Sequence, residues 1–188
     1  MAKGKWAQGI QPRHFRWVIE GKLAVCERPG GFGPNHRRVR RQEEIIWIRE
    51  NGFDFVVSLI PANHHLHSYD ELGVAWKHWP LTPSLDWRAA FAKIYPELHR
   101  LLGSGSRLLV HGDDLNDRLA GLLAGYLVWS GMVPHPTQAI VIMERILGRQ
   151  IGPEGRTMVA IAGELDTDLE ATDASPAHGT IEAAGESA

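Results

Sequence analysis

The stretch Leu108-Leu109-Val110-His111-Gly112-Asp113-Asp114-Leu115-Asn116-Asp117-Arg118 decides how this chain is read. Its first half is a short apolar run of strand length. Its second half is a polar loop rich in acids, and beyond Arg118 an almost wholly apolar helix continues to about Gly131. A strand, a tight polar loop and a buried helix in succession point to a ligand-binding turn at the carboxyl edge of a sheet. Working backwards, Trp87 to Leu102 reads as an amphipathic helix with Pro96 inside it, where a kink is expected, and Val74 to Trp79 as a strand. Phe53 to Ile60 is a nearly continuous apolar strand, which suits burial on both faces. His36 to Glu50 is a helix stopped by Asn51-Gly52, and Phe15 to Ile19 with Leu23 to Val25 forms a hairpin. Forward of the decisive stretch, Pro136 opens a last helix to about Gly148. Strands alternating with helices predict an α/β domain, a central, mostly parallel, twisted sheet flanked by helices.

The chain has 188 residues, of which 44% are hydrophobic, enough for one domain and its core. Seven of its 22 acids lie between 163 and 188, a stretch without Lys, Arg or aromatics. That composition cannot bury enough surface to offset the entropy of ordering, so 163–188 is expected to be a disordered acidic tail. Residues 1–13 read as a basic N-terminal arm, leaving 14–162 as the domain. No membrane-spanning apolar run or apolar leader is present, and the one cysteine, Cys26, cannot form an internal disulfide. The expected compartment is the cytoplasm. A net charge of −2 argues against nucleic acid as a partner, and nothing suggests a membrane.

The order and spacing of these elements resemble the protein tyrosine phosphatase superfamily, in particular its small dual-specificity members. Four stretches carry the resemblance: Phe15 to Ala24 followed by Arg28-Pro29, Gly52 to Leu59, Gly73 to Leu81, and Leu108 through Arg118 with its helix. The family's signature is His-Cys, five residues, then Arg; here the register reads His111-Gly112, five residues, Arg118. In the family the thiolate attacks phosphorus, while successive loop amides, a helix N-terminus and the arginine hold the phosphate. The resemblance therefore implies Gly112 at the nucleophile position and a ligand cradle of His111, Gly112, Leu115, Asn116 and Arg118. It also implies Leu119 in place of the usual hydroxyl and Thr82 near the usual general acid. Asp86 is the nearest acid, and its other reading is an N-cap for the following helix. Cys26 falls in the entry hairpin, as a small buried hydrophobe.

Three functional readings follow. The first is a catalytically inactive, pseudophosphatase-like module that binds a protein partner or a small anionic or polar ligand. The second is a repurposed hydrolase or lyase using Asp113, Asp114, Asp117 or Asp86 as acid or base, with Arg118 as anion clamp. The third is a phosphatase with an Asp nucleophile. Inward-pointing aspartates would repel an anion by about 1 to 4 kcal/mol each at close range; their other reading is outward-turned caps of the helix. His64, His65 and His67, with Asp114 and a divalent metal as cofactor, form a candidate metal set, although no recognised ligand spacing is present. Trp76, Trp79 and Trp87 flank the region of Thr82 and Asp86. Arg37, Arg38, Arg40 and Arg41 form a basic ridge beside Arg28 and Lys22, either solvated or a docking surface for an acidic partner or the chain's own acidic tail.

Overall fold

The computed structural model describes residues 8–167. A five-stranded sheet runs in the order β1-β2-β5-β3-β4, with β1 (Arg16–Ile19), β2 (Leu23–Glu27), β3 (Phe55–Ser58), β4 (Trp76–His78) and β5 (Leu108–Gly112). Only the β1–β2 hairpin is antiparallel; β2, β5, β3 and β4 pair in parallel. The central strand β5 is buried along its whole length.

Side-chain alternation divides the interior into two layers. Leu23, Val25, Val57, Leu108 and Val110 face α3 (Trp87–Gly103), α4 (Asp117–Trp129), α5 (Pro136–Leu147) and α6 (Pro153–Gly163). Ala24, Cys26, Val56 and Leu109 face α1 (Arg38–Glu50) and α2 (His67–Glu71). The sheet is thus covered on both faces, as the apolar Phe53 to Ile60 run requires. The first helix begins at Arg38 rather than His36, after a single 3₁₀ turn at Gly33–Asn35, and α3 runs on through Pro96.

Two elements go beyond the sequence expectation. The short α2 follows the first histidines. More consequentially, α6 completes the fold, so the helix ending at Leu147 is not the last. Helix α4 lies directly on α6: a Cβ on Gly121 would come within 2.9 Å of Gly155 Cα, and one on Gly125 within 2.8 Å of Ala162 Cβ. These small residues permit that approach, and Gly125 also leaves room for the Tyr95 hydroxyl, which a Cβ would crowd. The ends are also more engaged than expected. The Ile10 amide donates to the Glu43 carbonyl and Glu27 to the Arg13 carbonyl, so residues 9–13 lie against α1 and β2. Glu164 pairs with Arg88 at 2.6 Å. The rest of the expected acidic tail, 168–188, and the first seven residues lie outside the described residues.

Candidate functional site

The turn from β5 into α4 is built from its own sequence. Asn116 caps α4, its Oδ1 accepting the Leu119 amide at 3.1 Å. Leu115 is buried in the main core and pins the loop from below. From the α5–α6 connection, Arg149 donates to the Leu115 carbonyl at 2.6 Å and to Asp117 Oδ1 at 2.8 Å; that same oxygen accepts the Gly152 amide at 3.0 Å. Arg118 Nε meets Glu154 Oε1 at 2.9 Å, on the first turn of α6. A cavity of about 240 Å³ remains between Ile60, Leu81 and the loop residues Gly112, Asp113, Asn116 and Arg118.

The three loop aspartates have separate fates. Asp113 borders the cavity and pairs with Arg28 Nη1 at 3.3 Å. Asp114 is exposed to solvent. Asp117 turns away from the cavity to hold Arg149 and Gly152. Of the two readings left open for the aspartates, Asp113 takes the one at the cavity rim, while Asp117 is drawn away by donors from the α5–α6 region. Asp86 caps α3 by accepting the Ala89 amide at 3.1 Å and does not line this cavity. Two further members of the expected cradle do not face it: Leu115 is spent on the core, and His111 lies fully buried on the opposite face of β5.

His111 accepts from the Tyr69 hydroxyl at Nε2, 2.9 Å, and its Nδ1 lies 3.3 Å from the Gly112 carbonyl. Burial, with His65 nearby, pushes its pKa down to about 3, so it is a neutral strut between α2 and the end of β5. The remaining histidines do not gather as a metal set. His65 is buried, bonded through Nε2 to Ser58 at 2.7 Å, and burial with the neighbouring Arg28 pushes it down to about 4. His64 lies 3.4 Å from Arg28 Nη2, and His67 bonds the His64 carbonyl through Nδ1. Among the described residues, no group of three or more His, Cys, Asp or Glu side chains stands in position to hold a metal ion. Among the described residues the ligand geometry expected of His64, His65, His67 and Asp114 is thus missing, because His64 faces Arg28, His65 faces Ser58 in the core and His67 bonds its own loop.

Cys26 is in register with His111 on the neighbouring strand and has no exposed surface. Burial, with Glu44 and Glu27 adding to it, pushes its thiol well above the ordinary range, which leaves it protonated and unreactive. Tyr69, Arg149 and Glu154 are contributors that sequence reading missed. Their only sequence-level signal is their residue type, since the partners lie 42, 32 and 36 positions away. Arg28 stood out beside the basic ridge, but its pairing with Asp113, 85 positions on, did not.

No family model and no curated protein matches the sequence. Solved structures do. Kinase associated phosphatase, with its catalytic-site cysteine replaced by serine, is 19% identical with a TM-score of 0.66, covering 82% of this chain and 99% of its own. Tk-PTP in its active form is 18% identical, TM-score 0.62, over 80% and 97%. The core catalytic domain of the PP-IP phosphatase Siw14 from S. cerevisiae, in complex with citrate, is 13% identical, TM-score 0.59, over 85% and 90%. Such identities speak for architecture alone: this chain has the fold of the dual-specificity and tyrosine phosphatases.

Proposed function

We propose that this protein is a catalytically inactive member of the phosphatase fold, a binding or regulatory module for a protein partner or a small anionic or polar ligand. One observation carries the reading. At the end of β5, where the resembling family places its attacking cysteine ahead of the loop and its arginine, this chain has Gly112, and its sole thiol is sealed in the opposite layer. A glycine offers neither nucleophile nor leaving group, so no phosphocysteine can form.

The other changes point the same way but are weaker. The Arg118–Glu154 pair is about one third exposed on each side, and such pairs hold together by roughly 0 to 1 kcal/mol, so a ligand could recruit Arg118 from it. Asp113 adds repulsion, softened by Arg28. Electrostatics reduces phosphate affinity; the missing sulfur abolishes the chemistry. The second reading, an Asp/His-based hydrolase or lyase, loses support from the engagement of Asp117 and Asp86, while the third, an Asp nucleophile, rests on Asp113. Asp113 alone remains at the cavity.

The test is an aryl phosphate assay of the full chain with and without a chelator, alongside Asp113→Asn. The expected result is no turnover above background in either protein. Metal-independent turnover that disappears in Asp113→Asn would overturn the inactive reading in favour of an aspartyl nucleophile. Turnover lost with the chelator would favour a metal-dependent enzyme. Near-neutral charge and the single cysteine support a cytoplasmic protein that works without nucleic acid or membrane as partner.

A further inference from the structure

A second cavity, about 360 Å³, opens where the chain leaves β2 and enters α1. Its walls are Arg28, Phe32, Gly33, His36, Arg41 and His64. The Arg28–Asp113 pair stands between the two cavities: Asp113 walls the first, Arg28 the second. The intervening loop is held tightly to the helix. Gly30 and Gly31 adopt left-handed φ of 83° and 76°, and a Cβ on Gly30 would lie 2.5 Å from Arg41 Cβ. That packing brings two guanidinium groups to one wall.

Those cations are poorly compensated. The Nε atoms of both Arg28 and Arg41 are buried without any hydrogen-bond partner. Among the described residues, Arg28 has a single carboxylate contact, at 3.3 Å, to an Asp113 side chain that is 40% exposed. Its other contact, and that of Arg41, is to a histidine ring nitrogen: His64 Nε2 at 3.4 Å and His36 Nε2 at 3.2 Å. Guanidinium groups only donate, so the facing ring nitrogen is the acceptor in each contact. Burial, then Arg41, Arg28 and Arg37, holds His36 below its ordinary pKa, in agreement. The acids nearby do not close the balance. Glu44 is committed to Arg40 at 2.7 Å and to the Gly30 amide at 2.6 Å, and Glu71 acts on Arg41 only through its field. Among the described residues, two permanent charges on one cavity wall stand against one solvated counter-ion, which makes a site for a doubly charged oxyanion.

We propose that this cavity binds a phosphoryl group, clamped between Arg28 and Arg41, with Phe32 beside whatever the phosphate is attached to. A tetrahedral dianion matches two guanidinium charges and can engage both forks, whereas a carboxylate would satisfy one. Phe32, 44% exposed at the mouth, offers an apolar surface for an ester. The inference concerns a different cavity from the β5–α4 loop and stands whether or not that loop is catalytic.

Calorimetric titration of the full-length protein with orthophosphate, phenyl phosphate and benzoate tests it. Saturable binding of both phosphates, tighter than benzoate, is expected. Tighter phenyl phosphate assigns an ester as ligand, and equal affinity assigns free phosphate. Arg41→Gln should weaken phosphate binding about tenfold or more. Asp113→Asn, which removes the competing carboxylate from Arg28, should strengthen it, and binding retained in Arg118→Gln, a residue of the loop cavity alone, keeps the test decisive if Arg41→Gln folds poorly. Absence of saturable binding, a preference for benzoate, or weaker binding in Asp113→Asn would overturn the proposal. So would binding that is lost in Arg118→Gln and kept in Arg41→Gln, because the anion would then occupy the loop cavity.

Discussion

Arg118 Nε lies 2.9 Å from Glu154 Oε1, tying the first turn of α4 to the first turn of α6. Arg118, proposed from the resemblance as an anion clamp, is thus engaged by a carboxylate of its own chain. Glu154→Gln should free it. The pair is too exposed for its loss to cost more than about 1 kcal/mol of stability. Oxyanion affinity of the β5–α4 loop, measured with tungstate in an Arg41→Gln background, should rise severalfold. No rise would show that Glu154 does not restrain Arg118.

Asp117 is expected to matter for stability rather than chemistry. Its Oδ1 serves both Arg149 and the Gly152 amide. Asp117→Ala removes both and leaves a partly buried amide unpaired, a loss of about 1 to 3 kcal/mol. Asp114→Ala, at an exposed position, should change stability by less than about 0.5 kcal/mol. Urea midpoints of the two variants provide the comparison, and equal midpoints would refute the assignment.

A cysteine placed at residue 112 should not by itself make an enzyme. A Cβ at residue 112 would sit 2.8 Å from the Asp114 carbonyl oxygen, a backbone atom that can yield only if the loop moves. Gly112→Ala and Gly112→Cys should both destabilise by about 1 to 3 kcal/mol. Gly112→Cys should show little or no aryl phosphate turnover, since Asp113 and the Arg118–Glu154 pair remain. Substantial turnover with unchanged melting temperature would show that the loop is more adaptable than this packing implies.

Acid should weaken the fold through its buried histidines. His65 and His111 are held down to about 4 and about 3, against about 6.5 when unfolded. Below about pH 6.5 the unfolded chain takes up protons that the native state refuses, so stability falls with falling pH. The decline should run from about 6.5 to about 4 for His65 and continue to about 3 for His111. Denaturant titrations across this window check it, and His65→Gln should flatten the upper part of the slope. A flat profile in the native protein would contradict the burial of both rings.

Helix α6 is required for the fold. Ending the chain at residue 152 would uncover α4 at Gly121 and Gly125, and the product should not fold cooperatively. Ending it at 167 should leave the melting temperature nearly unchanged. Gly121→Ala, whose new Cβ meets Gly155 Cα at 2.9 Å, should be destabilising although it raises helix propensity. A cooperative transition in the shorter chain would remove this role.

The alternation of strand and helix was legible in the sequence because each element carries its own periodicity. The apolar Phe53 to Ile60 and Leu108 to Val110 runs declared strands covered on both faces, and Asp86 could be read as a cap from its place before Trp87. Helix α6 was not legible: Gly155 and Gly163 read as helix-poor residues leading into the small-residue tail. Gly155 is tolerated because α4 comes close there, a Cβ falling 2.7 Å from the Asp117 carbonyl oxygen, information that belongs to α4 as much as to α6.

The site divides in the same way. Which atoms residue 112 can bring to a reaction is a covalent fact, present in the one-dimensional chain: a glycine has no thiol in any fold. Where Asp113, Asp117, Arg118 and Arg28 direct their charges is not, because each is steered by partners 32 to 85 positions distant. Side-chain chemistry is local, but the choice of partner for a flexible charged group is made by whatever the packed core brings within about 3 Å of it.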